Sequence, residues 1–142
     1  MEKSINEKEQ CVQTDVMQSV IKGKHLRIGN LVFFNGNHNE IGVVSEIMKN
    51  DLTKVSPYKI GINHRIDIYY EIDKLKPIPL TEEWLAKLGY DLISENHYGI
   101  LGHLIWKIEG RFYCDKNGMQ LKYVHQLQNL YFALTGSELT VA

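Results

Sequence analysis

The sequence lacks the features of a membrane protein and of a disulfide-bonded secreted protein. Its 142 residues include two cysteines, Cys11 and Cys114, which lie far apart and form no CxxC motif. This spacing is typical of free thiols in a reducing compartment. No apolar run approaches the roughly 20 residues that cross a bilayer, and residues 1–24 have no apolar centre of the kind found in signal peptides. We therefore expect a cytoplasmic protein without a membrane partner.

Motifs for catalysis and cofactor binding are also absent. The sequence contains no Gly-rich phosphate loop, no GxSxG elbow and no Walker pattern. Six histidines are present, but none are paired at i,i+4 and none lie at zinc-ligand spacing from a cysteine. Glu82 and Glu83 are not an acid–base pair in this interpretation, because adjacent helical residues point about 100° apart. We expect no enzyme activity, no cofactor and no metal site.

A strong charge of either sign is missing as well. The formal net charge is −1, and 44% of the residues are hydrophobic. The chain therefore has no overall basic field of the kind that drives non-specific nucleic-acid binding. It does have enough apolar residues to bury a core in one domain or in two very small ones.

The pattern of strands, turns and helices predicts an α+β protein in three parts. Residues 1–24 are polar with balanced charges, and we expect a mobile extension there. Residues 25–78 contain short strands with turns between them, which indicates a small curled antiparallel sheet or a barrel of the Src-homology-3 type. Residues 79–142 predict a linker helix, a three-stranded antiparallel meander over residues 98–124, and a C-terminal helix that covers it.

The linker helix has clear signals at both ends. Pro77 and Pro79 favour extended backbone before it, since proline disfavours helix in the residue that precedes it. Thr81 is a good N-cap, and Gly89 is placed to end the helix.

The C-terminal helix is the clearest element in the sequence, and Gly136 is placed to end it. On a helical wheel, its apolar side consists of Val124, Leu127, Leu130, Tyr131 and Leu134. Its polar side consists of His125, Gln126, Gln128 and Asn129. We expect truncation of Leu127 or Leu134 to cost about 2–5 kcal/mol. We expect Gln126→Ala to change stability by no more than about 0.5 kcal/mol, and removal of residues 1–24 to leave the melting temperature nearly unchanged.

Phe132 interrupts the polar side of this helix. An aromatic ring among His, Gln and Asn side chains is typical of a recognition surface. The candidate protein-binding surface is therefore His125, Gln128, Asn129 and Phe132. The alternative is that Phe132 covers a neighbouring loop or the first subdomain, because single exposed aromatic residues are common.

A nucleic-acid site is the alternative to protein binding. Small barrels can bind single strands by stacking bases on aromatic rings beside cations. The candidate residues are Tyr58, Lys59, Arg65 and Tyr69. Acidic residues such as Glu46 and Glu71 interleave with these cations, so an ordinary mixed surface is the competing interpretation.

Two stretches resemble a known family. They are KPIPLTEEWLAKLGY (76–90) and YVHQLQNLYFALTGSEL (123–139), and LRIGNLV (26–32) fits the same family. It is a family of small uncharacterised proteins carried by gut bacteria, their phages and their mobile elements. The resemblance implies a phage or mobile-element context and one compact unit from Leu26 onward, but it brings no activity. We therefore expect a non-enzymatic accessory protein that binds a host or phage protein in the host-cell cytoplasm, with nucleic-acid binding as the alternative.

Overall fold

The structure is a computed structural model that describes residues 25–34, 40–49, 58–114 and 118–141. The chain divides into two compact units. The first unit runs to Ile28 and continues over Val32–Pro77, and the second consists of Gly29–Leu31 and the chain from Ile78 onward. The predicted extension, residues 1–24, lies outside the described residues.

A four-stranded antiparallel sheet with the order β1-β2-β3-β4 is built largely from the first unit. Its strands are β1 (Leu31–Phe33), β2 (Ile41–Lys49), β3 (Tyr58–Ile62) and β4 (Tyr69–Glu71). A 3-10 turn, Ile72–Lys74, follows the last strand. The described strands leave the sheet open, so the barrel option of the prediction is wrong. The outer strands β1 and β4 have three residues each and pair with β2 and β3 instead of with each other.

The core of the first unit lies on one side of this sheet. Its buried residues are Leu26, Val32, Phe34, Val44, Ile60, Ile62, Ile72 and Leu75. Tyr70 packs edge-on against Phe34, with 5.5 Å between the ring centroids. Gly42 lies so close to this core that a Cβ there would collide with the Ile62 and Phe34 side chains.

The second unit contains a five-stranded antiparallel sheet with the order β5-β6-β7-β8-β9. Its strands are β5 (Asp91–Ser94), β6 (His97–Ile100), β7 (His103–Ile108), β8 (Arg111–Cys114) and β9 (Met119–Leu121). The predicted three-stranded meander is therefore too small. Residues 98–108, predicted as the first strand of that meander, are split into two strands by a turn at Leu101 and Gly102, which both have positive φ (46° and 85°).

Helix α1 (Glu82–Lys87) confirms the predicted linker helix. The Thr81 hydroxyl accepts a hydrogen bond from the backbone N–H of Trp84 at 3.2 Å, and Gly89 follows the helix with φ 89°. Glycine suits this left-handed conformation because it has no Cβ to clash.

Helix α2 (Val124–Thr135) confirms the predicted C-terminal helix and is followed by Gly136 with φ 72°. Its start is held by Gln126, whose side-chain oxygen accepts hydrogen bonds from the N–H groups of Lys122 and Tyr123 at 2.8 and 3.1 Å. The described helices include none that is long and apolar enough to cross a membrane.

Candidate functional site

The predicted protein-binding surface on helix α2 is not an exposed surface in the structure. Gln128 is 1% exposed and His125 is 4% exposed. The prediction that both lie on a solvent-facing side of the helix is therefore wrong. Asn129 is half-buried, and Phe132 is the exposed member of the predicted set, at 37%.

Gln128 serves the fold of the second unit. Its side-chain oxygen accepts a hydrogen bond from the N–H of Leu31 at 2.8 Å. Its side-chain nitrogen donates to the carbonyls of Gly29 and Leu139, at 3.2 and 3.0 Å. These three contacts satisfy backbone groups at positions far apart in the sequence, which explains why a polar side chain is buried.

Asn129 and His125, which lie near Gln128 on helix α2, also contact residues outside the helix. The Asn129 side-chain oxygen accepts a hydrogen bond from the fully buried side-chain amide of Asn30 at 2.8 Å. The His125 ring stacks on the Tyr123 ring with 5.8 Å between centroids and an interplanar angle of 10°. The polar stripe of α2 is therefore largely an internal face.

Two further expectations about α2 are corrected. Leu134, predicted to be buried, is 61% exposed, because the last turn of the helix borders an open cavity instead of closely packed sheet. Gln126, predicted to be an uninvolved surface residue, is half-buried and caps the start of the helix. Leu127 is buried as predicted.

The nucleic-acid candidates do not form a basic surface. Arg65 and Tyr69 border a small depression of about 280 Å³ that also includes Glu46 and Asp67. The Tyr69 hydroxyl donates to the Glu46 carboxylate at 3.2 Å, and this hydrogen bond raises the pKa of Tyr69.

The other two nucleic-acid candidates lie in strand β3. Lys59 stands opposite Glu71 in the sheet register. Tyr58 is half-buried and packs against the core of the first unit. Carboxylates therefore lie beside the candidate cations, as in the mixed-surface interpretation.

The second unit presents an apolar sheet face that the sequence analysis did not identify. In strand β7, Ile105 is buried, whereas Leu104 and Ile108 are 44% and 55% exposed. Side chains alternate between the two faces of a strand, so Leu104, Trp106 and Ile108 share one face. We call this the open face.

Neighbouring strands extend the open face across the sheet. His97, Trp106 and Tyr113 stand directly opposite one another in the register of β6, β7 and β8. The His97 and Trp106 rings meet edge to face with 3.7 Å between centroids. Ile93 lies over Gly99 on the same face and is 62% exposed. The result is a mixed aliphatic and aromatic surface accessible to a partner.

A cavity of about 600 Å³ borders this sheet, and two residues of the open face, Leu104 and Trp106, contribute to its lining. Its lining consists of Tyr90, Gly102, His103, Leu104, Ile105, Trp106, Cys114, Leu130, Tyr131 and Leu134. The Tyr131 ring packs edge-on against His103, with 5.6 Å between centroids. Burial and the nearby Tyr131 raise the pKa of Tyr90. Sequence reasoning missed this cavity because its walls come from a loop, a strand and a helix distant in the chain.

One hydroxyl–imidazole pair in the second unit bears on the question of enzyme activity. The Ser94 hydroxyl and the His97 Nδ1 atom are hydrogen-bonded across the β5–β6 turn. Nε2 of the same ring has no hydrogen-bond partner among the described residues. An activated nucleophile normally needs a third group that orients its base, and this pair has none in the described part of the chain.

Within residues 25–34, 40–49, 58–114 and 118–141, no three His, Cys, Asp or Glu side chains gather as a metal site would require. Comparison of the chain with protein-family models, curated proteins and solved structures gave no match. The family resemblance carried by the stretches at 76–90 and 123–139 therefore stays a prediction.

Proposed function

We propose that this protein is a non-enzymatic binding protein, and that the open face of the second unit contacts a protein partner. The proposal rests on one observation, the exposed apolar array formed by Ile93, Leu104 and Ile108 around the Trp106 and Tyr113 rings. Folded monomers rarely expose contiguous apolar patches larger than a few hundred Å² unless a partner covers them. Tryptophan and tyrosine are also the residues most enriched where interfaces gain their affinity.

The charge of the open face favours protein over nucleic acid. By strand alternation, the formally charged side chains that β5 to β9 place on this face are Asp91 and Arg111, within the residues described. Nucleic-acid binding depends on several cations that neutralise phosphates. A nearly neutral face with aromatic rings resembles instead the core of a protein interface, which is depleted of charge.

The family resemblance adds a setting to this proposal. A small accessory protein of a phage or mobile element would meet its host or phage partner in the host-cell cytoplasm. The predicted surface on α2 contributes Phe132 at most, since Gln128 and His125 are buried.

Affinity capture with three matched variants tests the proposal. Leu104→Glu and Ile108→Glu place a carboxylate on the open face, whereas Leu101→Glu places one in the adjacent turn, where the residue is 84% exposed. We expect one protein to be captured by the parent and by Leu101→Glu and to be lost with both face variants. The same proteins captured by all four chains would contradict the proposal.

Nuclease treatment and a gel shift distinguish a protein partner from a nucleic-acid partner. A partner that disappears after nuclease treatment, together with a mobility shift that weakens steeply with salt, would assign the face to nucleic acid. Capture that survives nuclease treatment supports the protein partner.

A further inference from the structure

The cavity between helix α2 and strand β7 has the size and chemistry of a ligand site. Its volume of about 600 Å³ falls within the range of about 300–1,000 Å³ that is typical of small-molecule pockets. Ile105 and Cys114 are buried in its wall, whereas Leu134 and Gly102 are exposed at its opening. The cavity is therefore open to solvent at one end and apolar inside.

Two tyrosines contribute hydroxyl groups to this cavity. Tyr90 is 4% exposed and Tyr131 is 7% exposed, and both line the cavity. Within the described part of the chain, neither hydroxyl forms a hydrogen bond with another residue, and neither is a buried polar atom without a partner. The two hydroxyls therefore reach solvent and are available to donate to a ligand.

We propose that the cavity binds a small, uncharged and mainly apolar molecule of aromatic or alicyclic type, whose carbonyl oxygen accepts hydrogen bonds from the Tyr90 and Tyr131 hydroxyls. The apolar walls supply most of the affinity by removing the ligand's surface from water. The two hydroxyls supply orientation and select molecules that carry an acceptor.

The composition of the lining supports an uncharged ligand. The ten lining residues include no lysine, arginine, aspartate or glutamate. A ligand ammonium would therefore be buried without an opposite charge, and a carboxylate would have only the His103 imidazole as a charged partner, so both are unfavourable. The Tyr90 phenol is protonated at neutral pH because an ordinary tyrosine has a pKa of about 10, and burial raises the pKa of Tyr90 further, so it remains a hydrogen-bond donor.

A pair of probes that differ by one carbonyl group tests this proposal. Fluorenone and fluorene share the same fused rings, but only fluorenone carries an acceptor oxygen. We expect the full chain to bind fluorenone at least roughly three- to tenfold more tightly than fluorene, since each of the two net hydrogen bonds is worth about that range. Binding is measured by titration, and chemical shift changes in amide NMR spectra identify the site.

Tyrosine-to-phenylalanine variants locate the donors without removing the rings. Tyr90→Phe and Tyr131→Phe should each reduce the preference for fluorenone, and the double variant should abolish it while fluorene binding is retained. Tyr113→Phe is the matched control, because Tyr113 lies in the same sheet outside the cavity lining. It should keep the full preference.

Several results would overturn the proposal. The proposal fails if neither probe binds up to its solubility limit, if both bind the parent equally well, or if the preference survives in the double variant. Shift changes confined to residues outside the cavity would also refute it. Ile108→Glu, which alters the open face, should leave fluorenone binding unchanged, so this proposal and the proposed protein contact succeed or fail separately.

Discussion

The side-chain oxygen of Gln128 accepts a hydrogen bond from the backbone N–H of Leu31 at 2.8 Å, across 97 positions of sequence. The same amide group donates to the carbonyls of Gly29 and Leu139. One side chain thus joins an early segment, the C-terminal helix and the residues that follow the helix.

Gln128→Met should be strongly destabilising, although it preserves the volume of the side chain. It leaves the N–H of Leu31 and two carbonyls without their partner in a buried region. We expect a loss of about 2–4 kcal/mol in the free energy of unfolding, measured by urea denaturation. Gln120→Met, at a half-buried position of the outer strand β9 with no comparable contacts, is the control and should stay within about 0.5 kcal/mol of the parent. Equal midpoints for the two variants would contradict this role of Gln128.

Alanine substitution of two leucines of helix α2 should reduce stability by very different amounts. Leu127 is 1% exposed, so Leu127→Ala should cost about 2–5 kcal/mol through lost burial and a new cavity. Leu134 is 61% exposed, so Leu134→Ala should change stability by no more than about 0.5 kcal/mol. Thermal melts of both variants decide the matter. A large loss of stability with Leu134→Ala would contradict this prediction and would indicate that Leu134 is buried, as the sequence pattern predicted.

Replacement of two glycines by alanine should also reduce stability by different amounts. A Cβ at Gly42 would meet the Cγ2 branch of Ile62 and the Phe34 ring, which are both buried and cannot move aside easily. Gly42→Ala should therefore cost about 1–3 kcal/mol by overpacking. A Cβ at Gly99 would meet mainly the terminal methyl of Ile93, an exposed side chain that can turn away. Gly99→Ala should be the milder change in denaturant titrations, and the reverse order would refute this reading of the two contacts.

Stability should fall in alkaline solution because of Tyr90. Its pKa is raised in the folded protein above the ordinary tyrosine value of about 10. The folded state therefore keeps a proton that the unfolded chain releases, so the contribution of Tyr90 is complete below pH ~10 and is lost as pH rises through the folded pKa. Urea denaturation between about pH 9 and 11 should show a steeper decline for the parent than for Tyr90→Phe. Identical declines would show that Tyr90 does not titrate in this way.

Local signals were sufficient to predict the helices. Thr81, Gly89 and Gly136 act on neighbouring backbone groups, so their effect can be read from a few residues of sequence. The turn that separates β6 from β7 was hidden because Leu101, a residue that seldom adopts positive φ, occupies a left-handed conformation there. The sequence around it remains β-prone on both sides, and one long strand was predicted instead of two.

The candidate sites were harder to predict because they depend on residues that are distant in sequence. The helical wheel assigned Gln128 to the polar side of the helix. A wheel contains no information on distant residues such as Leu31 and Leu139, which lie against that side and bond to Gln128. The cavity was invisible for the same reason, since Tyr90 and Tyr131 come from different elements. The open face depends on the register of β6 to β8, and the predicted meander lacked one of the strands that define it.

The discontinuous make-up of the second unit has a consequence for synthesis on the ribosome. Gly29–Leu31 belongs to this unit, but the chain completes Val32–Pro77 of the first unit before the rest of the second begins at Ile78. Gln128 is made 97 positions after Leu31, which corresponds to roughly 5–20 seconds at typical elongation rates. The Leu31 N–H therefore has no Gln128 partner until these further residues have been made. The first unit can fold before that point, whereas the second can close only after Gln128 has been made.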